Sequence, residues 1–271
     1  MGLEEGVTMK FLFLVGSALK HFHEDKFSAY DEEQRFNQTL ETIECIRKKV
    51  PESYVVLFEC SSKSIDEKQK DVLKEKTDLF LEFCDEPVIK LLYENIEKRP
   101  ELITYGKSLL ETRGLLNALY TIKKHNLFSD SQRVFKLTGR YLLNDDFDIQ
   151  DYHSKFLEGK YVIKGYDYLP EELEDFNEEE KLENVYAYLY GAKGMMITGL
   201  WSFDRLLFNE AVESLEKAFR YMERMIQYTA GTDVEHSLYR FLNKKNIVNI
   251  SNLGLTMIKG MSGQNGGVLH T

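Results

Sequence analysis

Hydrophobic and polar positions follow two distinct periods along the first half of the chain. Lys10–Gly16 is an unbroken apolar run closed by a glycine, the pattern of a strand buried on both faces. Phe36, Leu40, Ile43, Ile46 and Val50 then recur at helical spacing, which predicts an amphipathic helix over 33–49 ended by Pro51. Tyr54–Glu59 (YVVLFE) is β-branched and aromatic and reads as a second strand. Ser64 or Asp66 is placed to cap a helix over 66–76. A third strand over 78–83, helices over 87–98 and 106–125, and a fourth strand over 133–138 (RVFKLT) follow. Strand and helix alternate, so the prediction is an α/β fold with a mainly parallel central sheet flanked by helices.

The second half reads differently. YVIKGY (161–166) and VYAYLY (185–190) have strand character. Between them, eight carboxylates from Glu171 to Glu183 mark a solvated excursion. GAKGMMITGLW (191–201) is punctuated by glycine. A helix over 204–228 has its buried stripe at Leu207, Ala211, Leu215, Ala218, Met222 and Met225. A short helix after Asp233 and strands near 247–258 close the chain. There is no repeat and no sharp boundary. Residues 10–271 therefore read as a single domain with halves 10–150 and 151–271, and residues 1–9 as a leader with Met9 as the natural start.

Composition narrows the function classes. With 35 Lys+Arg against 45 Asp+Glu the formal net charge is −10, which argues against a nucleic-acid polymer as partner. Cys45, Cys60 and Cys84 are far apart and odd in number, consistent with buried thiols in a reducing, cytoplasmic compartment. The run KFLFLVGSAL is too short to span a bilayer and has no cleavage site after it, so neither a membrane span nor export is expected.

In a parallel sheet ligands bind beyond the carboxyl ends of the strands. That directs attention to Gly16–Ser17, Glu59–Ser61, Cys84–Asp85 and 139–148. The segment VFKLTGRYLLNDDFD (134–148) carries most chemistry. Asp146 and Asp148 have acid-x-acid spacing, which suits Mg²⁺ or Mn²⁺ and leaves coordination positions for a diphosphate. Lys136 and Arg140 add cations nearby, and Arg can bind phosphate bidentately. The plain alternative is an acidic surface turn or a helix cap. Lys107, at the start of a predicted helix, could approach a nucleotide. Gly106-Lys107-Ser108 lacks the earlier glycine of a P-loop, because Glu101 stands there. His21 and His23 are better read as loop or surface residues than as a metal pair. No G-x-S-x-G elbow and no G-x-G-x-x-G turn occurs.

KLTGRYLLNDDFD, the apolar first strand ending in Gly-Ser, and YVVLFECSS together resemble glycosyltransferases of the GT-A fold. The chain is similar to glycosyltransferase-like proteins of phages and large DNA viruses, over roughly residues 10–150. The resemblance implies a GT-A-like domain and a metal-dependent transfer of sugar from a nucleotide-diphosphate donor, a UDP-sugar first among them. The acceptor would be a glycan or other hydroxyl compound. It places a nucleotide-binding acid at Glu59, the donor near Gly16 and Ser17, and the diphosphate-bound metal on Asp146, Asp148 and His270. It further implies a glycine-rich loop at 191–194 with Gly199. Asp233 or Glu235 would be the base or acceptor contact at a helix start, where the dipole favours a carboxylate. A viral source would place it in the host cytoplasm. A metal-dependent nucleotidyltransferase and a non-catalytic glycan-binding protein on the same scaffold remain open alternatives, as does the stereochemical outcome.

Overall fold

In the computed structural model, residues 9–20, 29–167, 194–227, 232–242, 244–249, 258–261 and 268–270 are described. Residues 1–8, His21, His23, the acidic stretch and the expected strand at 185–190 lie outside them, as does 191–193 of the expected glycine-rich loop.

The apolar runs form strands where their period and length predict. Strands β1 (Lys10–Ser17), β2 (Tyr54–Glu59), β3 (Leu79–Glu82) and β4 (Ser131–Thr138) make one side of a seven-stranded sheet. Strands β6 (Tyr161–Asp167), β7 (Gly194–Asp204) and β8 (Ile247–Asn249) complete it, in the order β3-β2-β1-β4-β7-β6-β8. β1 lies inside the sheet and pairs in parallel with both β2 and β4, which is why its side chains are apolar on both faces. Only β7 runs against the rest, pairing antiparallel with β4 and β6. The result is a mixed α/β layered fold around a mostly parallel sheet. Strand β5 (Tyr141–Leu143) leaves β4 and joins β9 (Ile258–Met261) and β10 (Val268–His270) in a separate three-stranded sheet.

Side chains alternate cleanly between two cores, as the period of a strand requires. Leu12, Leu14, Val56, Phe58, Val134 and Trp201 face one core. There they meet helices α3 (Pro87–Lys98), α4 (Ile103–Lys124), α5 (Phe208–Gln227) and α6 (Val234–Phe241). Phe13, Val15, Val55, Leu57 and Phe135 face the other core, packed by α1 (Glu32–Lys49) and α2 (Glu67–Lys76). The α5 stripe from Leu207 to Met225 is buried as its spacing predicts. α1 begins with a reciprocal cap: Gln34 N–H donates to Asp31 at 2.8 Å, and Asp31 N–H to the Gln34 side chain at 3.1 Å.

Two expectations change. Gly194 and Gly199, expected in a glycine-rich loop, lie in the eleven-residue β7. The glycine punctuation marks a bulge instead: Ile163 and Lys164 of β6 face Trp201 and Ile197, so Thr198, Gly199 and Leu200 stand out of that ladder. And α4 begins at Ile103, so Lys107 sits one turn inside the helix rather than at its start.

α4 approaches the sheet closely because Gly114 has no side chain. A Cβ there would lie 2.1 Å from Cys60 Sγ and 3.1 Å from the Phe58 ring. This approach brings the first turns of α4 over the ends of β1 and β2. Gly114→Ala should therefore destabilise the protein by about 1–3 kcal/mol, despite the better helix propensity of alanine. Urea unfolding checks this, and Cys60→Ala in the same chain should recover part of the loss.

Candidate functional site

A cleft of about 330 Å³ opens at the carboxyl ends of β1, β2 and β4. Its floor is set by backbone held very close. Gly139 N–H donates to Gly16 C=O at 2.8 Å, and Thr39 Oγ1 of α1 donates to Gly139 C=O at 3.2 Å. A Cβ on Gly139 would meet Gly16 O at 2.9 Å, so only glycine allows the tips of β1 and β4 to touch.

Glu59 closes the tip of β2 and is fully buried. Its carboxylate accepts from Ser17 Oγ, from Leu19 N–H at 3.0 Å and from Ser61 Oγ at 2.5 Å. Burial pushes its carboxyl up, against the opposing pull of those hydrogen bonds. Its oxygens are thus directed into the protein's own loop, and it does not line the cleft, whereas Gly16 and Ser17 do. Ser61 Oγ also accepts from Lys20 N–H at 2.7 Å, and Arg35 of α1 donates to Ala18 C=O. Ala18, Leu19 and Lys20 are thus each held by a side chain from another part of the fold.

Lys136, expected near a phosphate, is 2 % exposed and points under the cleft. Its ammonium pairs with Glu111 of α4 and donates to Thr138 Oγ1 at 3.0 Å and to Thr198 C=O at 2.8 Å. Burial alone would raise Glu111, but the Lys136 ammonium and the hydrogen bonds from Lys136 and Thr138 outweigh it and hold its carboxyl below the ordinary value. Thr198, presented by the bulge, donates from Oγ1 to Glu235 at 2.5 Å. Lys136 is a strut that links Glu111 to the strand carrying Glu235's partner.

Asp233 and Glu235 both line the cleft. Asp233 caps α6, accepting from His236 N–H at 3.0 Å with the His236 ring Nδ1 at 2.6 Å. Glu235 is pushed up to about 7 by burial first, then by the charges of Asp233 and Glu111, with the Thr198 hydrogen bond opposing. A carboxylate in this range suits general-base work at neutral pH.

The acid-x-acid turn lies elsewhere. Phe147 is buried against Phe135 and Tyr152, with ring centroids 6.2 and 5.8 Å away. It anchors the segment, and Asp145, Asp146 and Asp148 on either side of it are exposed. Asp148 accepts from Gln150 N–H at 2.9 Å and caps a short 3₁₀ turn. Neither Asp146 nor Asp148 lines the cleft. His270 ends β10, its backbone paired opposite Lys259, and its side chain lies outside the described residues. Among the described residues no group of three or more His, Cys, Asp or Glu could hold a metal ion. The cleft's own carboxylates are already tied: Glu111 to Lys136, Glu235 to Thr198, Asp233 to the start of α6. These residues do not fit a divalent ion.

Arg140 and Lys107 do line the cleft, as do several groups that sequence reasoning missed. Thr104, Lys107, Ser108 and Glu111 are spaced i, i+3, i+4, i+7 along α4 and all reach it. This polar stripe on a helix otherwise rich in leucine was the available signal. Arg35 was signalled by a charge in register with the buried Thr39, Ile43 and Ile46 of α1.

No family model matches the chain, and no curated protein does. Solved structures share its general layout at low identity. The mannosyltransferase Ktr4p from S. cerevisiae, in complex with GDP, has a TM-score of 0.48 and 13 % identity, covering 89 % of this chain and 68 % of its own. Core-mannan synthase A (CmsA/Ktr4) from Aspergillus fumigatus, in an Mn/GDP form, has a TM-score of 0.48 and 11 % identity, covering 96 % and 76 %. The galactosyltransferase LgtC, with donor and acceptor sugar analogs, has a TM-score of 0.43 and 12 % identity, covering 89 % and 73 %. A likeness at this level carries no weight as to activity. Among the described residues no helix is long and apolar enough to cross a membrane.

The geometry separates two roles for Glu59. Glu59→Ala should lower stability by on the order of 3 kcal/mol, because it leaves buried donors unpaired. Urea unfolding with and without saturating nucleotide reads this out; a normal unfolding curve with lost nucleotide binding would instead make Glu59 a ligand contact.

Proposed function

We infer that the protein is a glycosyltransferase that moves a sugar from a nucleoside-diphosphate donor to a hydroxyl acceptor. One observation carries the reading: a single cleft at the strand ends combines three cationic side chains with a carboxylate that titrates near neutrality. The volume suits a small ligand. The cations suit the anionic half of such a donor, and Glu235 suits the acceptor half. The resemblance carried by KLTGRYLLNDDFD and YVVLFECSS agrees with this reading.

The chemistry follows from the charges. The acceptor oxygen bonds to the anomeric carbon as the bond from that carbon to the β-phosphate oxygen breaks. The nucleoside diphosphate leaves with the electron pair, and the hydroxyl proton passes to Glu235. Glu235 needs to be ionised to accept it, and its displacement to about 7 keeps it basic enough to do so. Thr198 fixes one carboxylate oxygen of Glu235. Asp233 holds the helix start from which Glu235 projects and supplies charge that keeps Glu235 basic.

Turnover is tested by release of UDP or GDP from a panel of UDP- and GDP-sugars with simple glycosides as acceptors. Glu235→Gln should lower kcat by about 10²–10⁴-fold with the fold intact. In the wild-type protein kcat should fall about tenfold per pH unit below 7 and level off above it, since protonation removes the base. Release that is absent with every donor, or a Glu235→Gln variant as active as wild type, overturns the assignment.

A further inference from the structure

Three cations line the cleft from three different elements: Arg35 from α1, Lys107 from α4 and Arg140 from the turn after β4. Each is presented by a rigid part of the fold. Arg35 is 6 % exposed and donates to Ala18 C=O in the loop after β1. Arg140 follows the Gly139 contact with Gly16, and its own N–H donates to Thr138 C=O at 2.8 Å. Lys107 shares its helix face with Thr104 and Ser108, which also line the cleft. Like charges gathered in a half-buried space repel one another, and an anion entering that space relieves the repulsion. Two guanidinium forks and an ammonium match the oxygens of a diphosphate in number and kind.

We propose that Arg35, Lys107 and Arg140 bind the donor's diphosphate directly, as fixed cations in the place where a divalent ion would otherwise neutralise the leaving group. That the anion is a nucleoside diphosphate rests on the transferase reading; the diphosphate site itself does not. When the glycosidic bond to phosphate breaks, negative charge grows on the leaving diphosphate, and the three cations stabilise it where they already stand.

Lys107 supplies a second signature. Burial, with Arg140 and Arg35 beside it, pushes its ammonium down to about 8. The other charges facing the cleft are Glu111 on its own helix and Asp233 and Glu235 from the start of α6. Cys60, Tyr93 and Tyr141 are held protonated by burial. A bound diphosphate favours the charged form of Lys107, so binding takes up a proton above pH 8 and affinity falls as pH rises past that point.

Calorimetry of the full chain tests this with inorganic pyrophosphate, UDP and GDP, first in EDTA and then with Mn²⁺. Pyrophosphate and at least one nucleotide should bind in EDTA, with Mn²⁺ leaving the affinity unchanged. Arg140→Ala should weaken binding roughly 10- to 100-fold. Arg140→Lys, which keeps the charge and loses the fork, should fall between the two and serves if the alanine variant does not fold. Lys107→Met should weaken binding and remove the proton uptake, read as heats in two buffers of different ionisation enthalpy. No binding in EDTA overturns the proposal, as does binding that appears only with Mn²⁺ and is lost in Asp146→Asn/Asp148→Asn. Folded Arg140→Ala and Lys107→Met variants that bind like wild type overturn it equally. Binding in EDTA with no turnover of any nucleotide sugar refutes the transferase reading and leaves the diphosphate site standing.

Discussion

The buried carboxylate of Glu59 holds the cleft in place. A strand end is a poor foundation for a binding site, because the chain leaves the ladder there and its backbone groups need new partners. Glu59 supplies them. It stands at the last position of β2, beside Ser17 at the last position of β1, and accepts from Ser17, Leu19 and Ser61. Burying a carboxylate costs energy unless several donors converge on it, and here three do. In return, Leu19 is tied to the end of β2. Arg35 can reach the Ala18 carbonyl, and Gly139 can rest against Gly16.

A second constraint is steric. The cleft lies between the strand tips and α4, so its depth depends on how near that helix comes. Gly114 lets it come to contact with Cys60 and Phe58. The polar face of the same helix, from Thr104 to Glu111, is then carried over the strand ends rather than into the core. Glu111 at the foot of that face would be a half-buried charge with no ion partner but for Lys136, which rises from the central strand β4 to meet it. Lys136 also holds Thr198 on the bulge of β7, and Thr198 holds Glu235. One buried ammonium therefore fixes the distance between the two walls of the cleft.

Most of the layered fold was legible because it rests on hydrophobic period alone. β1 and β2 read correctly almost to the residue, since an apolar run in a central parallel strand has no competing interpretation. The α5 stripe was equally plain. β7 was not, because glycine normally weakens a strand and here marks a bulge inside one. The site was only half legible for a related reason. Gly16, Ser17, Arg140, Asp233 and Glu235 line the cleft from strand ends and helix starts, which can be located from the period, and Lys107 lines it from one turn inside its helix. Lys136 and Glu59 turn to partners within the protein, which the period does not foretell, since it tells which face a side chain takes and not what it meets there. The acid-x-acid turn drew attention by its carboxylates, whereas the residue that decides its geometry is the phenylalanine between them.

Burial acts in opposite senses on the two ends of the cleft, and that joins binding to chemistry. Withdrawal from water disfavours any charge, so it lowers an ammonium and raises a carboxyl. Lys107 comes down to about 8 and Glu235 goes up to about 7 for this one reason, each reinforced by neighbours of its own sign. Arg35 and Arg140 crowd Lys107; Asp233 and Glu111 crowd Glu235. Charges of one sign are thus segregated around each group within a single small space. An anion at the cationic end restores the charge on Lys107 and cancels part of the positive field there. The two walls need only stay where Lys136 and Glu59 hold them.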